Sequence, residues 1–334
     1  MNAAGRRVVC LVLTVSLAVI PGCARTMGEA RSDDLIPLRL GVGREPLSAL
    51  AYVARDEGLF EANGLDVDFV EYEGAQTAHE RLLAGEVDVA LCTDTPIVLG
   101  ALAGKPVTVF ATIARDPNDL TILARRDAGI VRPSDLRGKR IGVQGGTAAS
   151  FFLDSFLTMQ GIAHEEVMIE QASHSEVAAA LIGGGIDAAA MREPFDTQVA
   201  QALGDNLVVF AEPGLYTKTA SLCVRTDSSV EQEAFVRLVR AFIQAEELMT
   251  GDRAEKLHAA AAEAIGVNGG AVVPAVYAPG SVSLRQALLL NFEDQARWAI
   301  LHDLVADPQQ FDSLALLDTT VLDAVDAERV SVIR

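Results

Sequence analysis

The chain has 334 residues, half of them apolar, which is enough to bury one large core or two medium ones. Its formal net charge of −19 leaves no Lys/Arg stripe of the kind that neutralises phosphates, which excludes nucleic acid and anionic membrane surfaces as binding partners. Aromatic residues make up only 5%, so Ala, Val, Leu and Ile must build the interior.

Residues 1–22 read as a signal peptide. Arg6 and Arg7 form its positive start, and Val8–Ile20 is an apolar run too short to span a bilayer comfortably. Ile20-Pro21-Gly22-Cys23 resembles a lipobox, cleaved before a Cys that becomes diacylated. The other readings are an ordinary signal peptide that contains a Cys, or an uncleaved anchor. Lipid on Cys23 implies an extracytoplasmic protein held to a bacterial membrane, with residues 23–37 as a polar tether. Cys92 and Cys223 remain, each inside an apolar run. Export permits a disulfide, but two buried thiols are the simpler expectation.

Short apolar runs then alternate with helix-length amphipathic stretches. Strands are expected at Leu38–Val42, Asp66–Glu71, Val87–Cys92 and Val107–Ile113. Helices are expected at Ser48–Asn63, Ala75–Ala84 and Pro96–Ala103. This spacing is the βαβ signature of a parallel sheet covered on both faces. The pattern restarts with the strand Arg140–Val143 and a helix over Ala148–Gln160. It continues with the strand Val167–Gln171, the helix Ser175–Gly183 and the strand Ile186–Met191. The helix Pro194–Leu203 and the strand Leu207–Ala211 complete the second unit. After a strand at Ala220–Arg225 the chain is mostly helical, over Glu231–Thr250, Arg253–Ile265 and Ser283–Leu304. Two α/β lobes are expected, 38–115 with 221–334 and 116–220, crossed near residues 114–125 and 216–224.

The segments LGVGREPLSALAYVARDEGLFEANGLDVDFVEY, LLAGEVDVAL and GKPVTVFATI resemble the opening of the nitrate, taurine and aliphatic-sulfonate binding proteins. Binding proteins for thiamine-pyrimidine precursors belong to the same superfamily. DLRGKRIGVQGGTAASFFLDSFLTMQGI and LIGGGIDAAAMREPF resemble its second-lobe opening and its later Glu-Pro signature. The similarity runs in order over residues 38–250. It implies a type II periplasmic-binding-protein fold: two α/β lobes closing on a ligand. It also implies a solute-binding lipoprotein of an ABC importer, partnered by a small molecule, a permease and its ATPase, and monomeric. An enzyme on the same fold (a precursor synthase or a menaquinone-pathway type) and a ligand-sensing lipoprotein are the alternatives.

In open α/β sheets ligands bind outside the carboxyl ends of the strands. The loops there carry Arg44, Glu45 and Ser48, then Gln76 and Thr77, then Thr93, Asp94 and Thr95. Gly145, Gly146 and Thr147 follow, and last Arg192 and Glu193. Gly145-Gly146-Thr147 lets backbone amides and a hydroxyl hold a ligand oxygen, or forms a tight turn with Thr147 capping the helix. Asp94 or Thr95 caps a helix whose first residue is Pro96, or faces the ligand with Thr93. Gln76 either donates to ligand or faces water. Glu193 receives an ammonium or a ring N–H, or bridges to the opposite lobe, or is simply a helix-start acid before Pro194 at the first helical position. Arg44 and Arg192 are the cations for a sulfonate, nitrate or carboxylate, or surface arginines. Glu45, Asp94 and Glu193 make a bare anion less comfortable than a zwitterion or a neutral heterocycle.

The spacing of His79, His164, His174, His258 and His302 shows no HExxH or comparable metal motif, and no CxxC or GxSxG occurs. No catalytic residue, metal or cofactor is therefore expected.

Overall fold

The computed structural model describes residues 35–267 and 282–333. The expected signal peptide, Cys23 and most of the tether lie outside them. The first unit runs β1 (Ile36–Gly43), α1 (Ala49–Asp56), α2 (Leu59–Ala62), β2 (Leu65–Tyr72), α3 (Ala75–Leu83), β3 (Val89–Thr93), α4 (Asp94–Leu102) and β4 (Val107–Asp116). The second runs β5 (Leu120–Arg125), β6 (Arg140–Val143), α5 (Ala148–Met159), β7 (Met168–Gln171), α6 (His174–Ile182), β8 (Ala188–Arg192), α7 (Phe195–Leu203) and β9 (Leu207–Phe210). β10 (Lys218–Arg225) returns to the first sheet, and α8 (Gln232–Thr250) and α9 (Ala254–Ile265) follow. The chain ends through β11 (Leu284–Arg285), α10 (Gln286–Leu301), α11 (Thr320–Asp326) and β12 (Val330–Ser331).

The strands form two five-stranded sheets, ordered β2-β1-β3-β10-β4 and β7-β6-β8-β5-β9. Val42 lies in the first, Val143 and Met191 in the second. Both sheets are mixed, which corrects the expectation of purely parallel ones. β10 runs antiparallel between β3 and β4, and β5 antiparallel between β8 and β9. β5 falls where only a crossing was expected. Each strand that re-enters a sheet directly from the other half arrives antiparallel, without a crossover helix. The chain passes between the sheets at 117–119 and again at 211–217.

Three local details depart from the expected elements. Gly58, at φ 66°, breaks the expected helix Ser48–Asn63 into α1 and α2. Thr93 rather than Asp94 or Thr95 is the N-cap of α4, with Pro96 inside the first turn. Pro194 is the N-cap of α7, not its first residue, and the Glu193-Pro194 peptide is cis.

Every residue of β3 is buried, as a strand covered on both faces requires. In the second sheet the alternation separates two layers. Ile122, Ala188 and Ala190 pack with Phe152 and Phe156 of α5, while Leu123, Ala189 and Met191 pack with Val177 and Val199. The C-terminal helices cover the first sheet. Phe235, Leu238, Val239 and Phe242 of α8 recur at helical spacing on one buried face, and Phe242 meets Phe60 edge-on at 6.0 Å. Cutting Phe242 to Ala would cost about 3–5 kcal/mol. Cys92 and Cys223 are free, fully buried thiols in neighbouring strands. Among the described residues no helix is long and apolar enough to cross a membrane.

Candidate functional site

The two sheets face each other across a cavity of about 140 Å³. β1, β3, β6 and β8 direct their carboxyl ends toward it. β5 and β10, being antiparallel, begin there. Leu120 and Lys218, the first residues of those two strands, therefore join the lining. Each of the five loops singled out in the sequence sends at least one residue in: Glu45, the whole of Gly74–Thr77, Thr93, Thr147 and Arg192.

A buried charge network forms the floor. Lys218 Nζ donates to Glu45 Oε2 at 2.5 Å and to Asp119 Oδ2 at 2.8 Å, and Arg192 Nε lies 3.8 Å from Glu45 Oε2. Glu45, Asp119, Arg192 and Lys218 are all buried. Two cations and two carboxylates cancel. Burial alone would raise the pKa of Glu45, but Lys218 and Arg192 outweigh it and hold it down at about 2. Burial likewise opposes the charge on Lys218, yet Asp119 and Glu45 raise its pKa.

Arg192 comes from the second sheet and reaches into the first half of the molecule. It donates to the backbone carbonyls of Glu193 (2.7 Å), Arg44 (3.4 Å) and Glu73 (3.2 Å). Gly74 is what admits it, since a Cβ there would stand 2.8 Å from Arg192 Nη2. Gln144 Nε2 likewise crosses to Gln76 Oε1 at 2.7 Å, and Ser175 Oγ to Glu73 Oε1 at 3.4 Å. These bonds hold the two halves together around the cavity.

Three helices open at its wall. Ala75, Gln76 and Thr77 begin α3, Ala148 and Ala149 begin α5, and His174 begins α6. Glu45 Oε1 accepts from Ala75 N at 3.0 Å, and the first-turn amides of Gln76 and Thr77 have no acceptor inside the helix. Such ends favour an anionic or carbonyl oxygen. Gly43 permits the approach of α3, because a Cβ there would meet Ala75 N at 2.5 Å. His174 is 5% exposed, stacks on Phe195, and its Nδ1 has no hydrogen-bond partner. Burial, then the charges of Arg192 and Lys218, push its pKa well below the ordinary imidazole range, so the ring is neutral.

The other residues expected at the site lie around this lining. Arg44 is exposed, and its carbonyl serves Arg192. Ser48 is buried at the start of α1. Asp94 accepts from Tyr216 Oη (2.7 Å), Thr219 N (2.9 Å) and the Thr219 hydroxyl, so it fastens β10 to α4. Thr95 donates to Gln295 Oε1 at 2.5 Å. Glu193 accepts from the amide and hydroxyl of Thr197 within its own helix start. Gly145 and Gly146 border a neighbouring cavity, and a Cβ on Gly145 would strike Gln171 Oε1 at 2.4 Å. Thr147 lines the site while its hydroxyl donates to Gln144 O and accepts from Ala149 N, capping α5. Gln144 opens the loop Gln144–Ala149 that the sequence places at the cleft, and sequence reasoning missed Lys218, His174 and Glu73. A lysine opening an apolar strand was the available signal for Lys218; the others carried none.

A family model described as NMT1/THI5 like matches residues 45–254. A relative in Bacillus subtilis strain 168, provisionally named an aliphatic sulfonates-binding protein, is 28% identical over 244 residues, covering 70% of this chain and 72% of its own. Among solved structures, the periplasmic aliphatic sulphonate binding protein SsuA of Escherichia coli superposes with a TM-score of 0.68 at 19% identity. It covers 84% of this chain and 96% of its own. The alkanesulfonate-binding protein SsuA of Xanthomonas axonopodis pv. citri, bound to MOPS, gives 0.69 at 19% identity, over 85% and 99%. These proteins share the two-lobed solute-binding fold.

Proposed function

The chain belongs to the NMT1/THI5-like family, and from that premise we propose that it is the extracytoplasmic solute-binding lipoprotein of an ABC importer, taking a small sulfonate into the cavity between its sheets. The observation that carries this reading is the cavity itself. It is walled from both halves, contains two buried cations already balanced by carboxylates, and receives three helix N-termini. An oxyanion gains hydrogen bonds and dipole there without having to offset a net charge. The carboxylate of Glu73, on the same wall, suits the ammonium end of a zwitterion such as taurine. About 140 Å³ is well below the roughly 300–1,000 Å³ of drug-sized pockets, so the occupant is small.

The protein binds its solute and does not transform it. Binding energy goes into the equilibrium between open and closed lobes, whose hinge is the pair of passages at 117–119 and 211–217. The closed form then docks on the permease. Cys23 carries the lipid that holds the protein at the membrane.

A thermal-shift screen over alkanesulfonates, taurine, nitrate and pyrimidine precursors tests the reading. A sulfonate at 100-fold over its dissociation constant stabilises by about 2.7 kcal/mol. A shift with a pyrimidine alone would move the assignment to a neutral heterocycle held by His174 and Gln144. No shift with any of them would remove the proposal.

A further inference from the structure

A second cavity, of about 170 Å³, adjoins the Gly145–Gly146 loop and is lined in part by Asp154, His164, Trp298 and His302. Asp154 lies on α5 and His164 in the short turn after it, both belonging to the second sheet. Trp298 and His302 stand at the end of α10, which packs on α4 of the first. The cluster therefore spans the interface between the halves, beside the edge contact of Phe151 with Trp298 at 5.3 Å.

His164 Nδ1 lies 3.0 Å from Asp154 Oδ1, and His302 Nδ1 lies 3.9 Å from Asp154 Oδ2. One ligating atom from each of the three residues falls within 4.8 Å of the others. Zn²⁺ with bonds of about 2.0–2.1 Å places its tetrahedral ligands about 3.3 Å apart, so small side-chain rotations bring this set to coordination. Trp298 Nε1 donates to Asp154 Oδ2 at 2.9 Å, the outer hydrogen bond that orients a ligating carboxylate. His164 is 46% exposed, His302 27% and Asp154 13%, which leaves one side open for a water in the fourth position. A plain ion pair accounts for one imidazole on the carboxylate. It does not account for two imidazoles from different halves, 5.5 Å apart, turning the same nitrogen toward it.

We propose that Asp154, His164 and His302 form a Zn²⁺ site that fastens the two halves of the molecule to each other. The metal stabilises the arrangement in which α5 and α10 are adjacent. If that arrangement is the solute-bound form, metal and solute raise each other's affinity by the same factor. That coupling rests on the proposed function; the site itself does not.

The test uses the full-length chain, purified without a polyhistidine tag and stripped with chelator, titrated calorimetrically with zinc chloride in the absence of solute. One Zn²⁺ per chain is expected, with a rise in melting temperature and, for Co²⁺, the visible absorption of a tetrahedral site. His302→Ala and His164→Ala, checked to melt like wild type without metal, abolish stoichiometric uptake. Trp298→Phe weakens it about 10- to 100-fold. No stoichiometric uptake by wild type, or equal uptake by the folded His302→Ala protein, overturns the site. Uptake without any effect on solute affinity would overturn the coupling alone.

Discussion

Lys218 Nζ donates to Asp119 Oδ2 at 2.8 Å, joining the start of β10 to the passage between β4 and β5. The two segments that connect the halves are thus tied to each other by one buried cation, which also holds Glu45 beside the cavity. Replacing Lys218 with Met takes the buried cation from Asp119 and leaves Glu45 with Arg192 at 3.8 Å and the Ala75 amide. The expected cost is about 3–5 kcal/mol at pH 7, read as a lower urea midpoint. At pH 5 the loss shrinks, because Glu45, whose pKa Lys218 helps to hold down, takes up a proton more readily without it. An unchanged midpoint at pH 7 would show that the network does not tie the two connecting segments together.

Asp116 ends β4 beside this tie and is 8% exposed. Burial, then the neighbouring Asp119, push its pKa up to about 6. The folded state therefore holds a proton that the unfolded chain releases near the ordinary carboxylate value of 3.8. Stability from this group is full below about pH 4 and is lost as pH rises through 6. Asp116→Asn keeps the acceptor for Asn118 N (2.7 Å) and removes the charge. It should gain roughly 1–2 kcal/mol over wild type at pH 7.5, allowing for screening at the rim, and nothing at pH 4. Chemical denaturation across that range checks it, and equal gains at both pH values would contradict it.

His174 separates binding from folding. Its ring lines the cavity and its Nδ1 is buried without a partner, so His174→Phe keeps the packing on Phe195 and takes the ring's nitrogens out of the wall. Stability should hold or rise slightly. Affinity for the solute found in the screen should fall about 5- to 150-fold, the equivalent of about 1–3 kcal/mol. Unchanged affinity in a stable variant would take His174 out of the site.

Cys23 is tested independently of the fold. Wild-type cells given labelled palmitate should yield labelled protein whose mature chain starts at Cys23, and Cys23→Ala should carry no label. Label that persists in the variant, or a mature start elsewhere, would end the lipoprotein reading.

The chain order of strands and helices was readable because its elements carry their own periodicity. Arg140–Val143 appears with the expected bounds, and α3 and α8 within a residue or two. The loops were readable by position, since the residues after β1, β3, β6 and β8 lie at carboxyl ends wherever the parallel strands pair. β5 was not, because Leu120–Arg125 is a short apolar run whose place depends on pairing with β8 and β9. The charge network escaped for the same reason. Lys218 is 173 residues from Glu45 and 99 from Asp119, and no local pattern encodes either pair. His164 and His302 likewise meet only because α5 and α10 do.

The most direct test of the solute-receptor account is calorimetric titration of small alkanesulfonates and taurine into wild type and Arg192→Gln. Arg192 is the cation on the cavity wall that reaches from one half to the other. The account requires saturable one-to-one binding by wild type, weakened in the folded variant by at least the roughly 10-fold that 1.4 kcal/mol represents. Absence of sulfonate binding by wild type, or equal binding by both proteins, would contradict it.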